Sequence, residues 1–224
     1  MILTNFLNNI DYRRRDITNI FISETEKIVY LNEALRKIKG KYDYEWEKVS
    51  ASVSYTDGSY VYALSSVASD IDEPINVFFS SNYPFTCVSP EEFRQLSSSS
   101  FNMWAIDNDS LLLKTTFGSD TLTLNYYTSY IAQTSGGSRT SGLSSSGDSP
   151  LIPEIHQDII VDFAVSRCFQ KEQMWDDYRI AMSEFKEALK ELQAKTPSRK
   201  KHYSKVWGSP RKGYQPNLKD KATL

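Results

Sequence analysis

Residues 150–192 read PLIPEIHQDIIVDFAVSRCFQKEQMWDDYRIAMSEFKEALKEL, and how this stretch is divided decides the fold. Pro150 and Pro153 open it; proline suits a first helical turn, where the N–H it lacks would have no partner anyway. Glu154 and Asp158 then put negative charge near the positive end of a helix dipole. Ile155, Ile159 and Phe163 form one stripe, and Ile160, Ala164 and Cys168 the next, so this half can touch neighbours on two sides. Trp175, Tyr178, Met182, Phe185, Leu189 and Leu192 step by three or four along one face of a second helix. The spacing predicts two helices with a turn near Gln170–Gln173; no Gly or Pro marks that turn, and one long helix is the alternative reading.

Upstream, residues 4–14 predict a short helix with Phe6, Leu7 and Ile10 on its apolar face, followed by Arg13-Arg14-Arg15, which reads as a solvated basic run. A second helix is expected over 24–39. Ser23 and Glu26 form a capping box, Ile28, Leu31, Leu35 and Ile38 follow at helical spacing, and Gly40 stands where a C-terminal cap belongs.

After Trp46 the period changes to two. Val49, Ala51, Val53 and Tyr55 alternate with polar residues, and Asp57-Gly58 predicts a hairpin into Tyr60, Tyr62 and Leu64. Further strands are expected at 75–79, 83–88, 102–106, 111–114 and 122–130, with a capped short helix at Ser89-Pro90-Glu91-Glu92-Phe93 between them. Many short strands separated by turn signals predict a small antiparallel sheet or barrel across 46–131. Residues 132–149 are rich in Gly and Ser with no apolar pattern to bury, and read as a flexible loop.

The last thirty residues differ in charge. Residues 195–224 hold nine Lys/Arg and one acid, a net of +8, while the rest of the chain is −10. Tyr203, Trp207 and Tyr214 are interleaved with Arg199, Lys200, Lys201, Lys205, Arg211 and Lys212, a composition suited to ordering on a partner. No apolar run approaches the roughly 20 residues that a membrane span needs, and the opening MILTNFLNNIDYRRR lacks the layout of a signal peptide.

The chemistry-bearing residues are sparse. The two histidines, His156 and His202, cannot supply an HExxH pair, no GxSxG elbow is present, and Cys87 and Cys168 have no second thiol at metal-ligand spacing. Cys168 reads as a small core residue, and the acid pairs Asp70/Asp72 and Asp176-Asp177 read as solvated. The expectation is a chain that is not an enzyme and takes no cofactor or metal.

The order of these segments resembles the head-to-tail adaptor (connector, neck-ring) proteins of tailed bacteriophages. Leu31 to Ile38 resembles an LNxAxxxI helix followed by the aromatic run at 43–46. Val88 to Phe93 resembles a vsxeeF element, and 111–113 with 122–127 are similar to lxlxYY strands. Ala63-Leu64-Ser65-Ser66 departs from the Leu-Pro-x-Asp frequent in those proteins. The fold class expected is α+β. N-terminal helices (1–45) and a long C-terminal helical hairpin (150–194) form an α-helical bundle, with an inserted small antiparallel β domain (46–131), a Gly/Ser-rich loop (132–149) and an extended basic tail (195–224). The resemblance implies a virion protein assembled in the host cytoplasm. It would form a homo-oligomeric ring, typically of twelve copies, that binds the portal and downstream tail or neck proteins around the DNA path, with no membrane partner. Ring or core contacts fall to Ile155, Ile159, Phe163, Trp175, Tyr178, Met182, Phe185 and Leu189, and partner contacts to the tail residues named above. A nucleic-acid-binding accessory protein using the basic arm is the alternative.

Overall fold

Ser23 and Glu26 start the second helix by exchanging hydrogen bonds: the Glu26 N–H donates to Ser23 Oγ at 3.3 Å, and the Ser23 N–H donates to the Glu26 carboxylate at 3.1 Å. The computed structural model describes residues 1–15, 21–41, 44–57, 60–79, 84–95, 102–115, 118 and 120–195, and shows a mixed α+β fold. Helix α1 (Leu3–Arg14) buries Leu3, Phe6, Ile10 and Arg14. Helix α2 (Glu24–Lys39) buries Lys27, Leu31, Ala34, Leu35 and Ile38, and Gly40 after it is right-handed, at φ −67.

Two further helices, labelled α5 and α6 because α3 and α4 precede them in the β region, complete the helical layer. Helix α5 (Asp158–Lys171) is buried nearly all round, through Ile159, Ile160, Val161, Phe163, Ala164, Val165, Ser166 and Cys168, and packs on α1, α2 and α6. That is the behaviour of a helix apolar on every side. Helix α6 (Trp175–Lys195) is amphipathic and sets Phe185 edge-on against Phe163, with ring centroids 5.0 Å apart. The break between them needs no glycine. Gln173 adopts φ 62, with Gln173 N–H donating to Gln170 O and Met174 N–H to Phe169 O. These two bonds are those of a Schellman ending. The α5 start differs from the sequence expectation: Pro150 lies in a strand, Glu154–His156 form a 3-10 turn, and the helix begins at Asp158.

The β region contains β1 (Lys48–Tyr55), β2 (Val61–Ala63), α3 (Leu64–Val67), β3 (Ile71–Phe79), β4 (Thr86–Cys87), α4 (Pro90–Gln95), β5 (Met103–Asp107), β6 (Ser110–Lys114) and β7 (Asp120–Thr128). They form a sheet ordered β1-β7-β3 and another ordered β2-β6-β5-β4, antiparallel except for the β4–β5 pair. Val53, Tyr55, Val77, Phe79, Leu122, Leu124 and Tyr126 of the first sheet meet Trp104, Leu111 and Leu113 of the second in one apolar cluster. The opposite face of the second sheet packs Met103, Ala105 and Leu112 on Phe93 of α4. Alternation along the strands thus produces three layers. Pro74 sits at a register shift of the edge strand β3, the kind of position where a sheet tolerates proline.

The expected hairpin at Asp57-Gly58 is corrected. β1 pairs with β7 and β2 with β6, so the chain crosses from one sheet to the other, bringing the Tyr55 and Tyr62 rings to 6.4 Å; Gly58 lies outside the described residues. A turn signal fixes a reversal but not which sheet receives the next strand.

Residues 132–149 also differ from their reading as an unpatterned loop. They contain β8 (Ala132–Gln133) and β9 (Arg139–Thr140), and run into β10 (Ser149–Pro150), in a sheet ordered β10-β8-β9. Leu143 is buried in the helical core. The buried Asp148 carboxylate accepts the N–H groups of Ser144 and Ser145, each at 2.8 Å. Order here comes from one leucine and many hydrogen bonds, to which hydrophobic periodicity is blind.

Candidate functional site

Catalytic chemistry finds little to work with in the described part. Among the described residues no group of three or more His, Cys, Asp or Glu could hold a metal ion. His156 lies beside Trp46, ring centroids 6.1 Å apart. Burial pushes the Cys168 thiol up to about 12 and the Cys87 thiol up to about 11, which disfavours the reactive thiolate in both. Among the described residues no helix is long and apolar enough to cross a membrane.

The polar residues are instead arranged as internal seams. Arg14, whose side chain is fully buried, pairs with Glu172 and lies 3.9 Å from Asp11, and the fully buried Lys27 pairs with the same Asp11. One charge group thus joins α1, α2 and the end of α5. Arg13 pairs with Asp162 on α5, Arg167 of α5 with Glu33 of α2 at 3.2 Å, and Lys171 with Glu26. Burial raises the Asp162 carboxyl above its ordinary value, only partly offset by Arg13. The expectation of a solvated Arg13-Arg14-Arg15 run is corrected at its middle residue: Arg13 and Arg15 are exposed, but Arg14 is buried, because Glu172, distant in sequence, pairs with it.

Asp70 also departs from its solvated reading. It is buried and accepts hydrogen bonds from Tyr126 Oη at 2.7 Å, Thr128 Oγ1 at 2.6 Å and Arg139 Nε at 2.8 Å. Burial acts to raise its carboxyl pKa, but the bonds from Thr128, Tyr126 and Arg139 and the Arg139 charge outweigh it, so the net shift is downward. Tyr126 is pushed up to about 12, chiefly by burial and then by Asp70. Asp72, by contrast, is exposed, and so are Asp176 and Asp177. Asn32, part of the LNxAxxxI helix, acts as a substitute strand: its Nδ2 donates to Leu143 O at 2.9 Å, and its Oδ1 accepts the Leu143 N–H at 2.8 Å.

The expected helix face divides. Ile159, Phe163 and Phe185 are buried, and Met182 and Leu189 pack half-buried against the same core. Ile155 is 83% exposed on its 3-10 turn, and Trp175 is 53% exposed, with half-buried Tyr178 edge-on at 6.2 Å. Met174 and Ile180 are exposed nearby in sequence, and Tyr12, Phe21 and Val29 on the N-terminal helices and their connection. Exposed aromatic and long apolar side chains are the material of protein contacts. The tail residues Arg199, Lys200, Lys201, Tyr203, Lys205, Trp207, Arg211, Lys212 and Tyr214 lie outside the described residues. Sequence reading missed Asp70, Arg139, Lys39 and Lys27, since their type marks them as surface residues and only their distant partners say otherwise.

The family model for SU10 adaptor protein matches residues 4–210, spanning both the helical layer and the β region. The chain belongs to that family, and is a phage adaptor-type structural protein that works by contact with other virion components. No curated protein matches the chain.

Proposed function

We propose, from membership of that family, that the chain is a head-to-tail adaptor forming a ring beneath the portal and linking it to the tail around the DNA channel. The observation that carries this reading is a family match running through the helices, the sandwich and the tail as far as residue 210. Two features support it. Exposed Trp175, Tyr12 and Phe21, with half-buried Tyr178 beside Trp175, offer apolar anchors on the helical layer for neighbouring copies. The segment 195–224, at +8 with Trp207 and two tyrosines, has the composition of an arm that orders on a partner; its first residue, Lys195, closes α6 and pairs with Glu191 at 3.4 Å. Docking of this arm on the portal is driven by Trp207, Tyr203 and Tyr214, with its cations setting orientation and salt response.

The test is solution mass, alone and mixed with portal protein. A closed ring, or a monomer that becomes a ring on the portal, supports the reading; a monomer that ignores the portal refutes it. Deleting 196–224 is expected to leave a folded chain that no longer joins the portal. The basic arm also favours a second reading, a nucleic-acid-binding accessory protein. Under it the full chain binds DNA with an affinity that falls steeply between low and moderate salt, and the truncated chain does not.

A further inference from the structure

The helical layer and the β-sandwich bury their apolar residues in separate clusters. Polar contacts join one to the other. The chain passes between the two layers at 44–48 and again at 128–131, and these passages lie side by side because Lys48 pairs with Tyr127 at the ends of β1 and β7. Thr128 opens the second passage, fully buried and held from two directions. Its carbonyl accepts a hydrogen bond from Lys39 Nζ at 2.6 Å, and its hydroxyl donates to Asp70 at 2.6 Å.

These two partners tie the passage to the helical layer by two separate routes. Lys39 is the last residue of α2, and its Nζ also meets Glu47 at 3.3 Å and Asp72 at 3.4 Å, one on each side of the joint. Asp70 precedes β3 and is fixed in turn by Arg139 of β9, whose sheet carries Ala132 into the helical core. The backbone is gripped as well: Ser129 N–H donates to Asp70 O at 2.7 Å, and Tyr130 N–H to Thr128 Oγ1 at 3.1 Å.

We propose that these residues form a locked joint, in which Thr128 is fixed between Lys39 and Asp70 and the Asp70–Arg139 pair is the latch that sets the angle between sandwich and helices. The physical basis is directional. Packed apolar layers slide past one another at small cost, as in shear motions. Buried hydrogen bonds to charged groups weaken steeply when distance or angle changes, so a network of them selects one arrangement. Opening the latch leaves both layers intact, since their cores are separate, and frees only the two passages to bend. In an adaptor this joint would fix how surfaces on the sandwich are presented relative to surfaces on the helices. That consequence rests on the function proposed above, whereas the joint itself is a property of the free chain.

Hydrogen exchange on the free full-length chain tests it without any partner, so it can fail or succeed independently of the adaptor reading. Arg139→Met opens the latch from one side and Lys39→Met releases Thr128 from the other; Arg94→Met, which removes the exposed pair with Asp107 inside the sandwich, is the control. Both joint variants are expected to speed amide exchange at Ser129–Ile131 at least tenfold. Amides of Val77, Leu124, Ile160 and Ala164, inside the two cores, should keep their native rates, and the control should change none of these. Unchanged exchange at 129–131 in either joint variant overturns the proposal. So does an equal rise at the passage and in both cores, which would make the network a contributor to global stability only.

Discussion

Replacing Asn32 with alanine removes two hydrogen bonds at once, and the structure leaves Leu143 with no substitute. Its N–H and C=O both pair with the Asn32 amide, at 2.8 and 2.9 Å, and the residue is 2% exposed. A buried polar group left unpaired costs about 1–3 kcal/mol, so Asn32→Ala is expected to cost about 3 kcal/mol. For a chain of this size that lowers Tm by about 6–12 °C. Gly142 permits the contact: a Cβ there would lie 2.9 Å from Asn32 Oδ1 and 3.1 Å from its Cγ. Gly142→Ala therefore displaces the Asn32 amide and costs about 2 kcal/mol, through the same two lost bonds. The double variant separates this account from a generic loop effect. With Asn32 already alanine, nothing is left to clash, and Gly142→Ala should be neutral or stabilising by about 0.4–1 kcal/mol through the unfolded state. The cycle thus carries a coupling of about 2 kcal/mol. Asn32→Asp adds a pH signature. Its carboxylate would face the Leu143 carbonyl, whereas the protonated acid can donate to it. The folded state favours the protonated form, so the folded pKa is raised. The variant approaches native stability in acid and loses it as pH rises through that pKa. Urea unfolding of the four chains of the cycle, and of Asn32→Asp at two pH values, measures all of this. Additive costs in the cycle would refute the reasoning.

Two further outcomes follow from the buried titratable groups. Because the Asp70 carboxyl is held below its ordinary value in the fold, it stabilises the protein fully above the unfolded-state carboxylate pKa, and that contribution is lost as pH falls through the folded value. The native chain's urea midpoint should therefore fall on acidification below about pH 4, more steeply than that of Asp70→Asn, which is expected to be less stable at neutral pH by about 2 kcal/mol; parallel curves would contradict this. The thiols, held up at about 11 for Cys87 and about 12 for Cys168, should react slowly at pH 8, half-buried Cys87 first and Cys168 only as the chain unfolds. Mass spectrometry after thiol labelling, with and without urea, reads the order, and Cys168 labelling as fast in the native chain as in urea would contradict it.

Local signals were legible to the residue. Ser23 with Glu26 and Ser89 with Glu92 each close a capping box, because both partners lie within one turn of chain. Strand alternation likewise marked Val49, Ala51, Val53 and Tyr55 as one face, and all four lie in or against the sandwich core. Pairing was not legible, since β1 has β7 as its partner rather than the strand that follows it. Buried charge was invisible for the same reason: Arg14 and Glu172 are 158 residues apart, and Asp70 and Arg139 are 69 apart. The helix stripe was read as continuous, yet Trp175 is 53% exposed and Phe185 5%. The period is correct at both residues, but α5 ends at Lys171, so Phe185 meets Phe163 while Trp175 lies at the tip of the pair.

These internal pairs also decide what the surface carries. Residues 1–194 have an excess of ten acids, and several of their cations are committed within the fold: Arg13, Arg14, Lys27, Lys39, Arg139, Arg167 and Lys171 each meet a carboxylate. Glu154, Asp158, Asp176, Asp177, Glu184, Glu187 and Glu191 remain exposed along the two C-terminal helices and the turn before them. A surface of this sign repels a polyanion over about one Debye length, roughly 8–10 Å at physiological salt. The densest positive charge in this sequence is that of 195–224, at +8 against −10 for the rest, so the contrast between an acidic scaffold and a basic arm is built into the order of the chain.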